Sequence, residues 1–404
     1  MKQKINLAMT LAVLGCWALT AAFATLVRAD LAEFNAINAA ARAARERGDN
    51  AAYLANARKL AGITPGHPSL QIALARGLAL DGDAAGAVTQ LNRIADLGLS
   101  FRVADDAAFQ KLKNDPGFVA VAERLVANGK GLGRGKGIIR LGLTGASEGV
   151  AWSETMKSFL MGASGSIFSY ELDGKEPAKA IAKAGGAQIL GIRPDRASHS
   201  FLVCVNEEDG SNSAVVRHNE SSGKIEATYK LPMPNALCND IALLKKGSFA
   251  VTDSNNGVFH LVDGKLEPLA LTTPVYQPNG IASDPDKNRL YVAHAGGVVV
   301  HDLATGKSRE LAVAGTLIGG IDGMVWHKGS LIGVQNPRGA ANRLLRITPD
   351  AEGQSAKVDV LLVGTDFPGE ATTVAVARDE AFVIGTTSGT NGDREQPVLI
   401  RAPL

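Results

Sequence analysis

The chain has 404 residues, 46% of them hydrophobic and 5% aromatic, enough apolar material for a large core and, by length, for about two or three domains. Its 42 basic and 40 acidic residues leave a formal net charge of +2. No strong field favours a polyanion, so no nucleic-acid partner is expected.

Lys2 and Lys4 precede an apolar run from Ile5 to Val27 that closes on Arg28, with small residues for cleavage at Ala22-Phe23-Ala24 or Val27-Arg28-Ala29. Residues 1–29 therefore read as a secretory signal peptide, which places the mature protein in the periplasm or outside the cell. The run is also long enough to remain as an N-terminal membrane anchor. Lipid attachment at Cys16 fits poorly, because the following "WALTAAFATLV" stays apolar.

Residues 30–128 are alanine-rich with helical periodicity, Leu31, Phe34, Ile37 and Ala41 sharing one face. Gly48-Asp49 and Gly82-Asp83 repeat a turn at a separation of 34 residues, the period of tetratricopeptide helix pairs, and Pro65 and Pro68 fit it. Such a small helical domain would serve as a structural cap or a self-association element, or offer its apolar stripe to a protein partner. Residues 129–137, within "NGKGLGRGKG", read as a linker.

Residues 138–404 change to short Val-, Ile- and Phe-rich runs broken by Gly, Asp, Asn and Pro. A motif recurs at Glu148-Gly149, Leu190-Gly191, Asn239-Asp240, Asn279-Gly280, Asp322-Gly323 and Thr372-Thr373, at intervals of 42, 49, 40, 43 and 50 residues. Six units of this length predict a mainly β chain, a six-bladed β-propeller behind the helical domain. Cys204 and Cys238 lack zinc spacing; they would pair in an oxidising compartment or stay as buried thiols in separate strands.

The stretch "GASEGVAW" allows two readings. As Gly145-x-Ser147-x-Gly149 it matches the nucleophile elbow, but that motif needs a helix next, and "VAWSETMKSFLMGA" reads as strand and turn. The propeller register instead puts Glu148 at the channel, facing Leu190, Asn239, Asn279, Asp322 and Thr372. Two carboxylates and two carboxamides converging there call for a cation, and an all-oxygen set suits Ca2+, Mg2+ or Mn2+ better than Zn2+.

"EGVAW", "CNDIALL", "PNGIASDPDKNRLYVAH" and "IDGMVW", in this order, resemble the regucalcin/gluconolactonase (senescence marker protein-like) propellers, with more distant similarity to paraoxonases and strictosidine synthase-like proteins. The resemblance spans roughly residues 140–404. It implies a divalent metal, Ca2+ first, held by Glu148, Asn279 and Asp322, with Asn239 near metal and substrate and Asp322 as proton acceptor and donor. Many sugar lactonases of the family carry arginine where this chain has Leu237, which turns the expected substrate from a polyhydroxylated lactone towards a less polar lactone or ester. Asp253 and Ser254 are candidate rim contacts, Asp253 equally a turn residue. His294 and His327 offer the rival histidine chemistry of paraoxonase-like enzymes, or none. The function expected is metal-dependent hydrolysis of a small-molecule lactone or ester. The alternative is a non-catalytic periplasmic scaffold with structural calcium.

Overall fold

The computed structural model describes residues 30–143, 145, 147–387 and 396–404. The signal or anchor segment expected over residues 1–29 lies outside the described residues, within which no helix is long and apolar enough to cross a membrane.

Helix α1 occupies residues 30–46, followed by α2 (Asn50–Ile63), α3 (Pro68–Leu80), α4 (Ala84–Asp96) and α5 (Pro116–Ala127). The repeated Gly-Asp turns join α1 to α2 and α3 to α4 for one physical reason. Gly48 and Gly82 take left-handed φ values of 70° and 93° that end the first helix of each pair. Asp49 and Asp83 then cap the second, accepting from Ala52 N at 3.0 Å and Gly86 N at 2.8 Å. Leu31, Phe34 and Ala41 are buried, as the stripe predicts, and Ile37 is partly so.

The remaining chain is a six-bladed β-propeller. Its blades span residues 150–183, 188–230, 238–268, 281–310, 321–363 and 371–403, each an antiparallel sheet laid from the channel outward. Strand Gly137–Arg140 pairs with Gln396–Pro403 as the outermost strand of blade 6, so the first strand closes the ring on the last. Blade 5 gains a fifth strand, Ala312–Val313, parallel to Ser355–Val363.

Six hydrophobic clusters each straddle two neighbouring blades, which is why the middle strands, such as Ser200–Asn206, are buried on both faces. Phe159 of blade 1 meets Phe382 of blade 6 with ring centroids 4.7 Å apart, sealing the closure. Cys204 and Cys238 form a disulfide between blades 2 and 3, with Cα atoms 5.2 Å apart.

The helices rest on blades 4 and 5. Phe34 packs on Tyr276 at 5.1 Å between centroids, and the core of the later helices takes in Leu317 and Ala340. Gly319 N donates to Gly66 O at 2.9 Å, Ala341 N to Ser100 O at 3.1 Å, and Ser69 Oγ to Arg338 O at 2.9 Å. Buried Arg343 fixes the receiving loop, donating from Nη1 to Thr316 Oγ1 at 2.9 Å and from Nη2 to Leu317 O at 2.6 Å. The loops so covered lie on the face where the innermost strands begin. The helical domain thereby roofs the channel mouth.

Candidate active site

The six leading residues stand around the channel in sequence order because each innermost strand opens against its neighbour. A Cβ on Gly149 would collide with the carbonyl oxygen of Leu190, and one on Gly280 with that of Asp322, so only glycine lets these backbones approach. Thr372 closes the ring by donating from Oγ1 to Glu148 O at 2.9 Å. In blades 2, 3, 5 and 6 the pairing of the first two strands slips at the leading residue, at Ile189/Ile192, Cys238/Ile241, Ile321/Met324 and Ala371/Thr373. Such bulges re-aim side chains, here towards the axis.

Glu148, Asn239, Asp240 and Asp322 line a channel space of about 20 Å3, room for one water or ion. Above it, Leu237, Asn239, Ser254, Asn279 and Asn336 floor a cleft of about 720 Å3 whose roof is the helical domain. Asn239 lines both spaces, so channel and cleft meet there.

Asp322 is the focus. Asn336 Nδ2 donates to its Oδ2 at 2.8 Å, and the Asn279 side chain also hydrogen-bonds to it. Burial pushes its carboxyl up to about 7, against the lowering effect of Asn336 and reinforced by the charges of Glu148 and Asp240. Glu148 is raised by partial burial and by Glu370. Asn279 Oδ1 is buried with no hydrogen-bond partner among the described residues. The Glu148 and Asp322 carboxylates thus face the water-sized space, and the orphaned carboxamide oxygen belongs to the Asn279 side chain that bonds to one of them from the cleft side.

Of the residues singled out in the sequence, Glu148, Asn279 and Asp322 are brought together, Asn239 adjoins them, and Leu237 lines the cleft. Asn239 Nδ2 donates to Ser254 Oγ at 3.0 Å, which in turn donates to Pro278 O at 2.8 Å. Asp253 does not face the cleft. It is fully buried, accepts from Leu237 N and Asn255 N at 3.0 Å each and from Asn256 Nδ2 at 2.9 Å, and so fixes the turn that presents Leu237.

His294 is buried with both nitrogens engaged: Nε2 lies 2.7 Å from Glu310 Oε1, and Nδ1 accepts from Gly296 N at 3.2 Å and Tyr276 N at 3.3 Å. His327, at the far end of the Ile321–His327 strand, bonds to Asp379 at 3.0 Å, away from the cleft. Ser147 is buried, and the chain after it enters the strand Val150–Ser153 rather than a helix.

Asn336, Asp240 and the roof escaped the sequence reading. Asp240 accepts from Ile241 N at 2.8 Å, Arg193 Nη2 at 3.1 Å and Ile281 N at 3.1 Å, which knits blades 2, 3 and 4. A signal for Asn336 did exist. It follows Asp322 by 14 residues as Ser254 follows Asn239 by 15, the distance out and back along two strands.

As to cation ligands, no group of three or more His, Cys, Asp and Glu side chains is gathered among the described residues. The orphaned Asn279 oxygen with the Glu148 and Asp322 carboxylates fits a hard cation whose shell is completed by water or substrate oxygens, not one enclosed in a protein cage.

No family profile and no curated protein matches this chain. Solved structures similar to it include the PQQ-bound aldose sugar dehydrogenase of Streptomyces coelicolor, with 16% identity, TM-score 0.48, and coverage of 68% of this chain and 98% of that one. A structure described as a gluconolactonase candidate has 17% identity, TM-score 0.48, and coverage of 66% and 92%. The Malassezia sympodialis allergen Mala s 1 has 13% identity, TM-score 0.47, and coverage of 65% and 95%. At such identities and scores these likenesses carry no argument about activity.

Proposed function

We propose that the cleft hydrolyses a small lactone or ester, with Asp322 as general base and a divalent cation, Ca2+ first, held by Glu148, Asn279 and Asp322. The observation that carries this reading is the buried, unpartnered Oδ1 of Asn279, a side chain that lines the roofed cleft and bonds to Asp322, whose carboxyl shares the adjoining channel space with Glu148.

When bound, the cation would polarise the substrate carbonyl and balance the carboxylate charges. Asn279 and Asn336 hold the Asp322 carboxylate in one orientation. Its ordinary value raised to about 7 makes it a base matched to neutral pH. Asp322 takes a proton from a water whose oxygen bonds to the carbonyl carbon, and returns that proton to the alcohol oxygen as the C–O bond breaks. Leu237 on the cleft floor favours a substrate with few hydroxyls at the reacting end. The Cys204–Cys238 bond supports an oxidising compartment, periplasmic or extracellular, with residues 1–29 as its address.

The test is a panel of lactones and aryl esters assayed with and without chelator. Chelator-sensitive turnover that Asp322→Asn reduces at least about 100-fold supports the reading. Turnover indifferent to both, or no turnover with any substrate and any of Ca2+, Mg2+, Mn2+ or Zn2+, contradicts it.

A further inference from the structure

The cleft is charged in a way the chain as a whole is not. With 42 basic and 40 acidic residues overall, the chain places four arginines and no aspartate or glutamate along the walls of this one cleft. Arg76 is answered by Asp106, Nε to Oδ2 at 2.5 Å. Its Nη2 still reaches across to the loop of blade 5, beside Gly339.

Arg42, Arg45 and Arg338 are solvent-accessible and have no carboxylate partner in an ion pair among the described residues. Arg42 and Arg45 are three apart on α1 and share its lower face. Arg338 sits two residues beyond Asn336, the side chain that holds Asp322. Unanswered guanidinium groups converging on one space repel one another, and a bound anion relieves that repulsion through charge-assisted hydrogen bonds.

His67 adds a donor. Its Nδ1 accepts from Ser69 N at 3.1 Å, which leaves the ring proton on Nε2, and the ring edge lies against Gly320 on the cleft wall.

We infer that the helical roof selects substrates carrying an anionic group, a carboxylate or a phosphate, at the end remote from the bond to be broken. Arg42, Arg45 and Arg338 receive that group, and the rest of the molecule lies down towards Asp322. This rests on the hydrolytic reading for the reacting end, but the anion site stands on its own lining. It also gives the roof a task that Leu237 leaves open: polar recognition comes from the helices rather than from the propeller floor.

The probes are glutarate, its neutral dimethyl ester and inorganic phosphate, titrated calorimetrically into the full chain in the presence of chelator, so that no cation mediates. Glutarate or phosphate should bind and dimethyl glutarate should not. Arg42→Gln/Arg45→Gln should weaken anion binding at least about tenfold. Arg58→Gln, on α2 and outside the lining, should bind as the parent does. Preference for glutarate assigns a carboxylate, and preference for phosphate a phosphate. Equal binding of the diester, an Arg42/Arg45 variant equal to the parent, or the same loss in Arg58→Gln would overturn the inference. Arginine-dependent anion binding without hydrolysis of any substrate sinks only the hydrolytic reading, and hydrolysis without anion binding sinks only this one.

Discussion

Asn336 donates one amide to Asp322 Oδ2 at 2.8 Å and to the carbonyl of Ala371 at 2.9 Å, so the carboxylate of blade 5 is oriented by a side chain anchored on blade 6. That bond favours the ionised form of Asp322. Asn336→Ala should therefore raise the Asp322 value above about 7 by roughly one unit, since a hydrogen bond to a charged group contributes about 1.5–3 kcal/mol. The acid limb of kcat/KM against pH moves up by that unit, activity at pH 7 drops about fivefold and recovers at higher pH. A uniform loss at every pH would show that Asn336 only maintains the fold.

Asp322 is held in the folded chain above its ordinary value of 3.8, at about 7. For a carboxyl shifted upward, the folded state binds the proton more tightly than the unfolded one. Its contribution is full below 3.8 and is lost as pH rises through about 7. In chelator at pH 8, Asp322→Asn should thus be more stable than the parent, by up to about 4 kcal/mol and a Tm rise of several degrees. Added Ca2+ should stabilise the parent more than the variant. A variant less stable in chelator would show that the carboxylate is not under electrostatic strain.

His67 is lowered from 6.5 to about 4, first by burial and then by His294. Here the unfolded chain binds the proton more tightly, so stability present above 6.5 is lost as pH falls from 6.5 towards about 4. The loss is on the order of 2–3 kcal/mol and is localised where α3 meets blade 5. Hydrogen exchange of α3 at pH 7 and pH 4.5 checks it: His67→Gln should flatten the difference. An unchanged pH response in that variant would assign the acid sensitivity elsewhere.

The Cys204–Cys238 bond closes a loop with a sequence separation of 34. In the chain-entropy picture its loss costs about 4 kcal/mol. Denaturant unfolding with and without reductant, and of Cys204→Ala/Cys238→Ala, should show that decrease. Equal midpoints in both states would mean that the bond adds nothing to the native ring.

The ring of leading residues was legible because a propeller repeats its chemistry at one register: residue-then-glycine at the channel, then an apolar strand. Glu148, Leu190, Asn239, Asn279, Asp322 and Thr372 could be placed around one axis from spacing, while the choice of Glu148, Asn279 and Asp322 among them came from the family resemblance. The Gly-Asp turns were legible too, since left-handed glycine followed by a capping aspartate is a local device. Asp253 was ambiguous because a rim carboxylate and a turn staple leave the same trace, and only the amides of Leu237 and Asn255 decide between them. The docking of the helices was not legible. Phe34 on Tyr276 and Gly66 against Gly319 join surfaces far apart in sequence, with no periodicity linking them. The arginine-walled cleft exists only once those surfaces meet.

Calorimetric titration of Ca2+ into the chelator-stripped protein at pH 6 and pH 8 is the most direct test of the central claim, a cation bound by Glu148, Asn279 and Asp322. One site is expected, tighter at pH 8 because the ion must displace the Asp322 proton. Glu148→Gln should weaken it at least about tenfold, roughly 1.4 kcal/mol, and Ser147→Ala should leave it unchanged. No binding of Ca2+, Mg2+, Mn2+ or Zn2+, or a site untouched by Glu148→Gln while Ser147→Ala abolishes turnover, would contradict it.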